Sequence, residues 1–469
     1  MTRPRVVLYN PRAVFHTMPL ATLAVASALD RRAFDVVIVD GRLERDPVAA
    51  VLEATRGALC LGVSVLTGAP IRDALAVTRA VKDARPGCSV VWGGWHPSLF
   101  AAQCLAEPAI DVVVTGQGEE TFREVVERLA AGDVVDGCAG TVTGRGGAIR
   151  HAPARPLRGL DDLPAHDYGL LRVEEYFVRK RARQIDYVSS QGCRFRCAFC
   201  ADPAVFDRAW TGLAPERVAE ELAFLERAYA ATDVAFQDET FFTQPARVEA
   251  LCDGLRRRGT RFTWTATLRA DQACRLGDER FAAAVAAGLR RVMVGVEAGS
   301  QEMLERLQKD VTLEQVRRTV DLCLRHGVGA IFNFIVGFPG ESDASVNATL
   351  ALAKTIGARS PAFETPIFCY RPYPGNPLAD DASRAGYEFP SSLEAWADFD
   401  YVGARGPWVS AARWREVERF RFYARHAVRP GRWRAPLRAA ARWRCDRDWY
   451  GLPVEKFLVE LVRPSQPVS

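Results

Sequence analysis

The sequence predicts an α/β protein: a doubly wound, Rossmann-like (flavodoxin-like) sheet, then a partial (β/α)6 TIM-type barrel, then a mainly helical C-terminal region. Three observations predict it. Short apolar runs alternate with helical patterns, the alternation lapses once between residues 144 and 184, and the composition changes after the barrel. At 469 residues the chain is too long for one small core. Its 48% hydrophobic and 25% charged content is that of an ordinary globular protein.

Taken in order, apolar runs at 6–9, 36–39, 59–65, 90–92 and 112–114 are separated by helical patterns such as 20–29, 74–83 and 121–129. Short apolar strands between amphipathic helices mean a parallel sheet covered on both faces. This first domain is assigned residues 1–145. Residues 146–184 turn to Pro, Gly, Arg and His, with Pro153, Pro156 and Asp161-Asp162-Leu163-Pro164, and read as a linker with an extended arm. From 185 to 378 strands are expected at 187–190, 234–237, 262–267, 292–296, 331–336 and 363–370, with helices at 215–228, 246–257, 279–287 and 313–326. Six such units suit a parallel βα barrel whose chemistry sits at the C-terminal strand ends.

Residues 379–469 complete the chain. Between 411 and 450 stand twelve Arg and no Lys against four Asp or Glu, with Trp414, Trp433, Trp443 and Trp449. This region has three readings: a solvated helical face with core tryptophans, peripheral contact with a membrane surface, or an Arg-lined cover over an acidic substrate. Across the chain, 62 Lys and Arg against 57 Asp and Glu leave a net charge of +5, too little and too dispersed to call for nucleic acid. No run of 18 apolar residues and no signal-type leader is present, so the expected location is the cytoplasm, where thiols stay reduced. Twelve cysteines then need a reading other than disulfides.

The strongest motif is Gln191-Gly192-Cys193-Arg194-Phe195-Arg196-Cys197-Ala198-Phe199-Cys200, a C-x3-C-x2-C directly after the first barrel strand. Three thiolates on one tight loop can hold three irons of a [4Fe–4S] cluster and leave the fourth open to a chelating ligand. Gly192 lets the backbone turn sharply before the first Cys. Structural zinc would want a fourth ligand, for which His151 and His166 are the nearest candidates, and buried free cysteines are common. The other nine cysteines are scattered and form no second cluster motif; Cys369, late in the sixth strand, could face the site.

Cys193, Cys197 and Cys200, with Phe199 before the last, resemble the signature of the radical S-adenosylmethionine (SAM) superfamily. Asp238 and Glu239, after the second strand, resemble the group that holds the SAM amino nitrogen. Gly295-Val296-Glu297-Ala298-Gly299 resembles the ribose-side and carboxylate-side element, and Gly337-Phe338-Pro339-Gly340-Glu341 the loop that packs on adenine. The resemblance implies that the cluster cleaves SAM reductively to a 5′-deoxyadenosyl radical, with Phe199 near adenine and Glu297 facing ribose or substrate. It also implies an electron donor such as flavodoxin or ferredoxin.

The first domain resembles a second pattern. Trp92-Gly93-Gly94-Trp95-His96-Pro97 and Thr115-Gly116-Gln117-Gly118-Glu119-Glu120 resemble the cobalamin-binding class that holds the anaerobic magnesium-protoporphyrin IX monomethyl ester cyclase and methyltransferase relatives. Gly93-Gly94 ends the fourth strand, and residues 64–68, with Ser64 and Thr67, end the third. Both lie where open α/β sheets bind ligands, so Ser64, Thr67, Gly93, Gly94, His96 and Pro97 are candidate cobalamin contacts. The Asp-x-His-x-x-Gly pattern that gives many corrinoid proteins a cobalt-bound histidine is absent. The resemblance then implies cobalamin without a protein histidine on cobalt, or a sheet that has lost its corrin.

Tyr370-Arg371-Pro372-Tyr373-Pro374-Gly375-Asn376-Pro377-Leu378 resembles a proline element of the same class. Tyr370 and Arg371 join Glu297 as candidate catalytic residues, and a rigid turn is the other reading. The leading expectation is a cobalamin-dependent radical SAM methyltransferase acting on an unactivated carbon of a small molecule. The alternatives are a tetrapyrrole oxidative cyclase or radical rearrangement, and a non-catalytic cobalamin- or redox-sensing module.

Overall fold

The computed structural model describes residues 3–145, 148–399, 405–428 and 434–462; Trp433 lies outside the described residues. The chain forms two compact units, Met1–Arg194 with Asp202–Gln237 and Phe389–Asp400, and Phe195–Ala201 with Asp238–Glu388 and Tyr401–Ser469.

In the first unit, strands β1 (Arg5–Asn10), β2 (Asp35–Asp40), β3 (Ala58–Ser64), β4 (Ser89–Gly93) and β5 (Val112–Val114) pair in parallel in the order β2-β1-β3-β4-β5. That is the flavodoxin-like order, with its switch point at the C-terminal ends of β1 and β3. Val6, Val7, Leu8 and Tyr9 are buried on consecutive positions because helices cover both faces of the sheet. The helices Leu20–Ser27, Pro47–Ala54, Pro70–Ala84 and Glu119–Ala131 follow β1, β2, β3 and β5, and two short helices, Trp95–Leu99 and Ala101–Leu105, follow β4. β6 (Thr141–Arg145) and β7 (Ala148–His151) then extend the sheet edge antiparallel. β7 falls in the stretch read as a linker. It is four residues long and exposed throughout, so no apolar alternation marked it.

The first unit also carries β8 (Gln184–Tyr187), the antiparallel pair β9 (Ser190–Gly192) and β10 (Trp210–Gly212), the helix Pro215–Tyr229, and β11 (Asp233–Phe236), which runs parallel to β8. Gly192 sits at φ +81°, and a Cβ there would stand 2.3 Å from the Ala209 carbonyl oxygen. Only glycine fits that turn into the cysteine loop.

In the second unit, β12 (Thr263–Leu268), β13 (Leu289–Glu297) and β14 (Gly329–Val336) are parallel, and β15 (Phe363–Glu364) and β16 (Ile367–Cys369) both pair with β14. The helices Pro245–Arg257, Ala270–Ala286, Leu313–Arg325 and Asp343–Gly357 alternate with them. A capping box of Thr312 and Gln315 starts the helix Leu313–Arg325. The sixth expected strand is split in two where Pro366, which has no N–H for the ladder, intervenes. Within each unit, parallel strands thus alternate with helices along the barrel stretch, and among the described residues beyond Pro377 the regular elements are helices. Among the described residues no helix is long and apolar enough to cross a membrane.

Candidate active site

None of the twelve cysteines forms a disulfide, and eight are buried; Cys193, Cys197, Cys200 and Cys274 are the partly exposed ones. Burial pushes the thiols of Cys104, Cys252, Cys323 and Cys369 up to about 12, which disfavours the thiolate that metals require. The three cysteines of the motif are therefore set apart from the core thiols by exposure as well as by spacing. Among the described residues no group of three His, Cys, Asp or Glu converges on one metal ion. A cubane cluster asks for something looser, since each thiolate takes its own iron.

The loop through Cys197 and Cys200 is pinned from three directions in the second unit. Ala198 donates its N–H to the Leu307 carbonyl at 2.8 Å, and its own carbonyl accepts from Leu378 N–H at 3.2 Å. The Asn376 side chain caps the helix Pro377–Arg384 through Ala379 N–H and donates to the Tyr373 and Phe199 carbonyls. Arg269, directly after β12, places its Cζ 3.6 Å from the Phe195 ring centre and donates to Cys197 Sγ at 3.5 Å.

The residues expected at the SAM side gather around this loop. Phe199 lies 6.2 Å from Phe338, and Phe338 lies 4.8 Å from Tyr370, ring centre to ring centre. Glu297 ends β13 at φ +70°, past a register shift between Gly295 and Glu297. Its carboxylate pairs with Lys309 Nζ at 2.7 Å, and that ammonium stands 5.8 Å from the Phe199 ring centre. A Cβ at Gly295 would be 2.3 Å from the Glu297 carboxylate, so the glycine makes room for the pair. Glu341 accepts from Gly337 N–H at 2.7 Å and Phe338 N–H at 3.2 Å, and the Pro339 carbonyl accepts from Arg306. These bonds fix the expected adenine loop. Asp238 is buried while Glu239 is exposed, which separates the two candidate carboxylates. Tyr370 is 3% exposed and Arg371 half-buried.

The cobalamin candidates sit together in the first unit. Val65 N–H donates to the Gly93 carbonyl at 2.8 Å, and His96 N–H to the Val65 carbonyl at 3.1 Å. Gly94 takes φ +101°, where a Cβ would come 3.0 Å from both Val65 N and Val65 O. His96 is fully buried, its Nδ1 3.2 Å from Thr67 Oγ1 and its ring 4.9 Å from Phe100 and 5.6 Å from Trp396. Burial lowers its pKa to about 4. Thr67 and Pro97 are buried with it, whereas Ser64, Gly93 and Gly94 remain partly open. Gln117 Nε2 reaches Gln191 Oε1 at 3.1 Å, two residues before Cys193.

Residues 4–126 match the B12 binding domain family and residues 187–353 the Radical SAM superfamily. An uncharacterized methyltransferase of Pyrococcus horikoshii is 31% identical over 379 residues, which cover 78% of this chain and 79% of that one. The chain belongs to the cobalamin-dependent radical SAM enzymes. The anaerobic magnesium-protoporphyrin IX monomethyl ester cyclase of Rubrivivax gelatinosus is 27% identical over 333 residues, covering 68% of this chain and 59% of that longer protein. The fold is shared with the radical SAM methyltransferase TsrM of Kitasatospora setae, solved with cobalamin and a [4Fe–4S] cluster: TM-score 0.69 at 20% identity, over 82% of this chain and 78% of that one.

The cofactors of this enzyme are accordingly a [4Fe–4S] cluster, SAM and cobalamin. The residues present fit all three. Partly exposed thiols on one pinned loop suit the cluster, the Phe199–Phe338 rings and the Glu341-braced loop suit an adenine, and the bare Gly93-Gly94 ledge at the sheet's ligand end suits a corrin. Sequence reading missed Arg269, Lys309 and the capping role of Asn376. Arg269 carried one faint signal, a lone cation at a barrel strand end; Lys309 carried none, because its partner is twelve residues away.

Proposed function

We propose that this enzyme methylates an unactivated carbon of a small molecule. The observation that carries the reading is the likeness to the Pyrococcus methyltransferase over nearly four-fifths of both chains, with a corrin-type sheet ahead of a SAM-type barrel. When bound, the cluster with SAM supplies hydrogen-atom abstraction, and cobalamin supplies a transferable methyl group.

Residues 1–145 would hold cobalamin and residues 185–378 the cluster and SAM. Cys193, Cys197 and Cys200 would each ligate one iron. Phe199, Gly337 and Pro339 would flank adenine, with Gly295 giving close approach. Asp238, the buried carboxylate, would accept from the SAM ammonium in preference to exposed Glu239. Glu297 would orient the ribose or substrate, its carboxylate held in place by Lys309. Tyr370 and Arg371 would contact substrate. Ser64, Thr67, Gly93, Gly94, His96 and Pro97 would shape the corrin site, with His96 as buried support for the ledge rather than a cobalt ligand. The buried Phe338 and Tyr370 rings would help keep water from the reacting groups.

The reading includes a cytoplasmic setting, a flavodoxin- or ferredoxin-type electron donor and no nucleic-acid partner; for the Arg/Trp-rich C-terminal region, where Trp443 and Trp449 are exposed, peripheral membrane contact stands beside the solvated helical face and the Arg-lined cover. The likeness to the Rubrivivax cyclase supports a second reading, oxidative cyclisation or another radical reaction without methyl transfer. Counting nucleosides separates them. Methyl transfer yields 5′-deoxyadenosine and S-adenosylhomocysteine in equal amounts per methylated product. Deoxyadenosine without matching S-adenosylhomocysteine would reject methylation and leave the cyclase-like reading.

A further inference from the structure

We propose that Arg269 is a positioning residue that sets the reduction potential of the cluster through Cys197. The inference rests on Cys197 being a cluster thiolate, as read above. Arg269 stands one residue beyond β12 and is 7% exposed. Each arm of its guanidinium has its own partner: Nε binds Asp271 Oδ1 at 2.9 Å, one terminal nitrogen binds the Lys309 carbonyl, and the other binds Cys197 Sγ at 3.5 Å. Its flat face lies over Phe195, two residues before Cys197. Four contacts therefore leave the cation no freedom to turn away from the sulfur.

Guanidinium does not lose its proton in proteins, so this charge is permanent. Asp271 would cancel it, but Asp271 also pairs with Arg275 at 2.8 Å. The trio keeps one net positive charge; Arg275 is half exposed, whereas the Arg269 guanidinium that touches the sulfur is largely out of water, where screening is weak. Reducing the cluster by one electron adds a negative charge to the iron–sulfur core and its thiolates. A fixed cation on one thiolate stabilises that reduced state and raises the potential. The same hydrogen bond draws electron density from Cys197, which acts in the same direction. A donor of modest strength could then supply the electron that SAM cleavage consumes.

The test is a dithionite redox titration, followed by electron paramagnetic resonance, of the anaerobically reconstituted full chain as wild type, Arg269→Gln, Arg269→Lys and Asp271→Asn. Iron and sulfide are measured on each sample. Arg269→Gln should lower the reduced-to-oxidised ratio at a given potential about tenfold, which for one electron is about 59 mV. Arg269→Lys should restore most of that shift. Asp271→Asn, which keeps Arg269 and removes the nearby negative charge, should move the midpoint the opposite way and decides the matter if the Gln variant cannot hold its cluster. Midpoints that do not move in opposite directions for cluster-loaded Arg269→Gln and Asp271→Asn, or no upward movement in Asp271→Asn alone, would overturn the proposal. A wild-type chain without a cluster would instead reject the assignment of the cysteines.

Discussion

Glu297 and Lys309 form an ion pair of 2.7 Å in which each side chain is less than a tenth exposed. Glu297 holds a left-handed backbone conformation to make it, and Lys309 is flanked by Gln308 and Asp310, which also have positive φ. Strain of this kind persists only where the surroundings over-determine it. Lys309→Met should leave a buried carboxylate without a partner and cost about 3–5 kcal/mol. The melting temperature of the cofactor-free protein should fall by several degrees, and the double variant Glu297→Gln/Lys309→Met should recover most of the loss. Equal melting of Lys309→Met and wild type would contradict a structural pairing.

Gly94 predicts a separate effect on the corrin. Ala at φ +101° is strained, and its Cβ would press on the Val65 peptide at 3.0 Å. Gly94→Ala should weaken hydroxocobalamin binding about tenfold or more by displacing the ledge formed by Gly93 and Gly94, while iron content stays at the wild-type level. Titration followed by absorbance reads the first, and iron analysis the second. Unchanged corrin affinity would remove the ledge from the site.

His96 predicts a pH dependence. Burial lowers its pKa from 6.5 to about 4, so the folded state opposes protonation. Between those two values the unfolded chain binds more protons than the folded one, and stability falls as pH drops through the window from about 6.5 to about 4. The full effect is about 3 kcal/mol at about 1.4 kcal/mol per pH unit. His96→Leu removes this group's contribution, so the difference in melting temperature between wild type and variant should shift toward the variant as pH falls from 7 to 5. A difference independent of pH would contradict a neutral buried imidazole.

Much of this was legible in the sequence, for physical reasons that name their own limits. Parallel strands buried on both faces leave continuous apolar runs, so β1 and β3 stood out, as did the amphipathic helix Leu313–Arg325. β7 left no trace because an exposed, four-residue edge strand has no apolar face to repeat. The cysteine loop was legible because ligand spacing is local. The contacts that surround it were not: Arg269 reaches Cys197 across 72 positions, and Asn376 reaches Phe199 across 177. His96 was legible as a residue of the fourth-strand turn, but its burial against Phe100 and Trp396 depends on the helix Leu393–Ala397, far along the chain.

One chain holding a three-cysteine cluster and a corrin as independent cofactors is open to direct measurement. The direct measurement is iron, sulfide and corrin content of a single anaerobically reconstituted sample, as wild type and as the triple variant Cys193→Ala/Cys197→Ala/Cys200→Ala. Wild type should carry about four irons, four sulfides and one corrin per chain, and the triple variant should keep the corrin and lose the iron. Four irons retained in the triple variant would rule out the three cysteines as cluster ligands, and no corrin in a wild-type chain that has its cluster would rule out the corrin site.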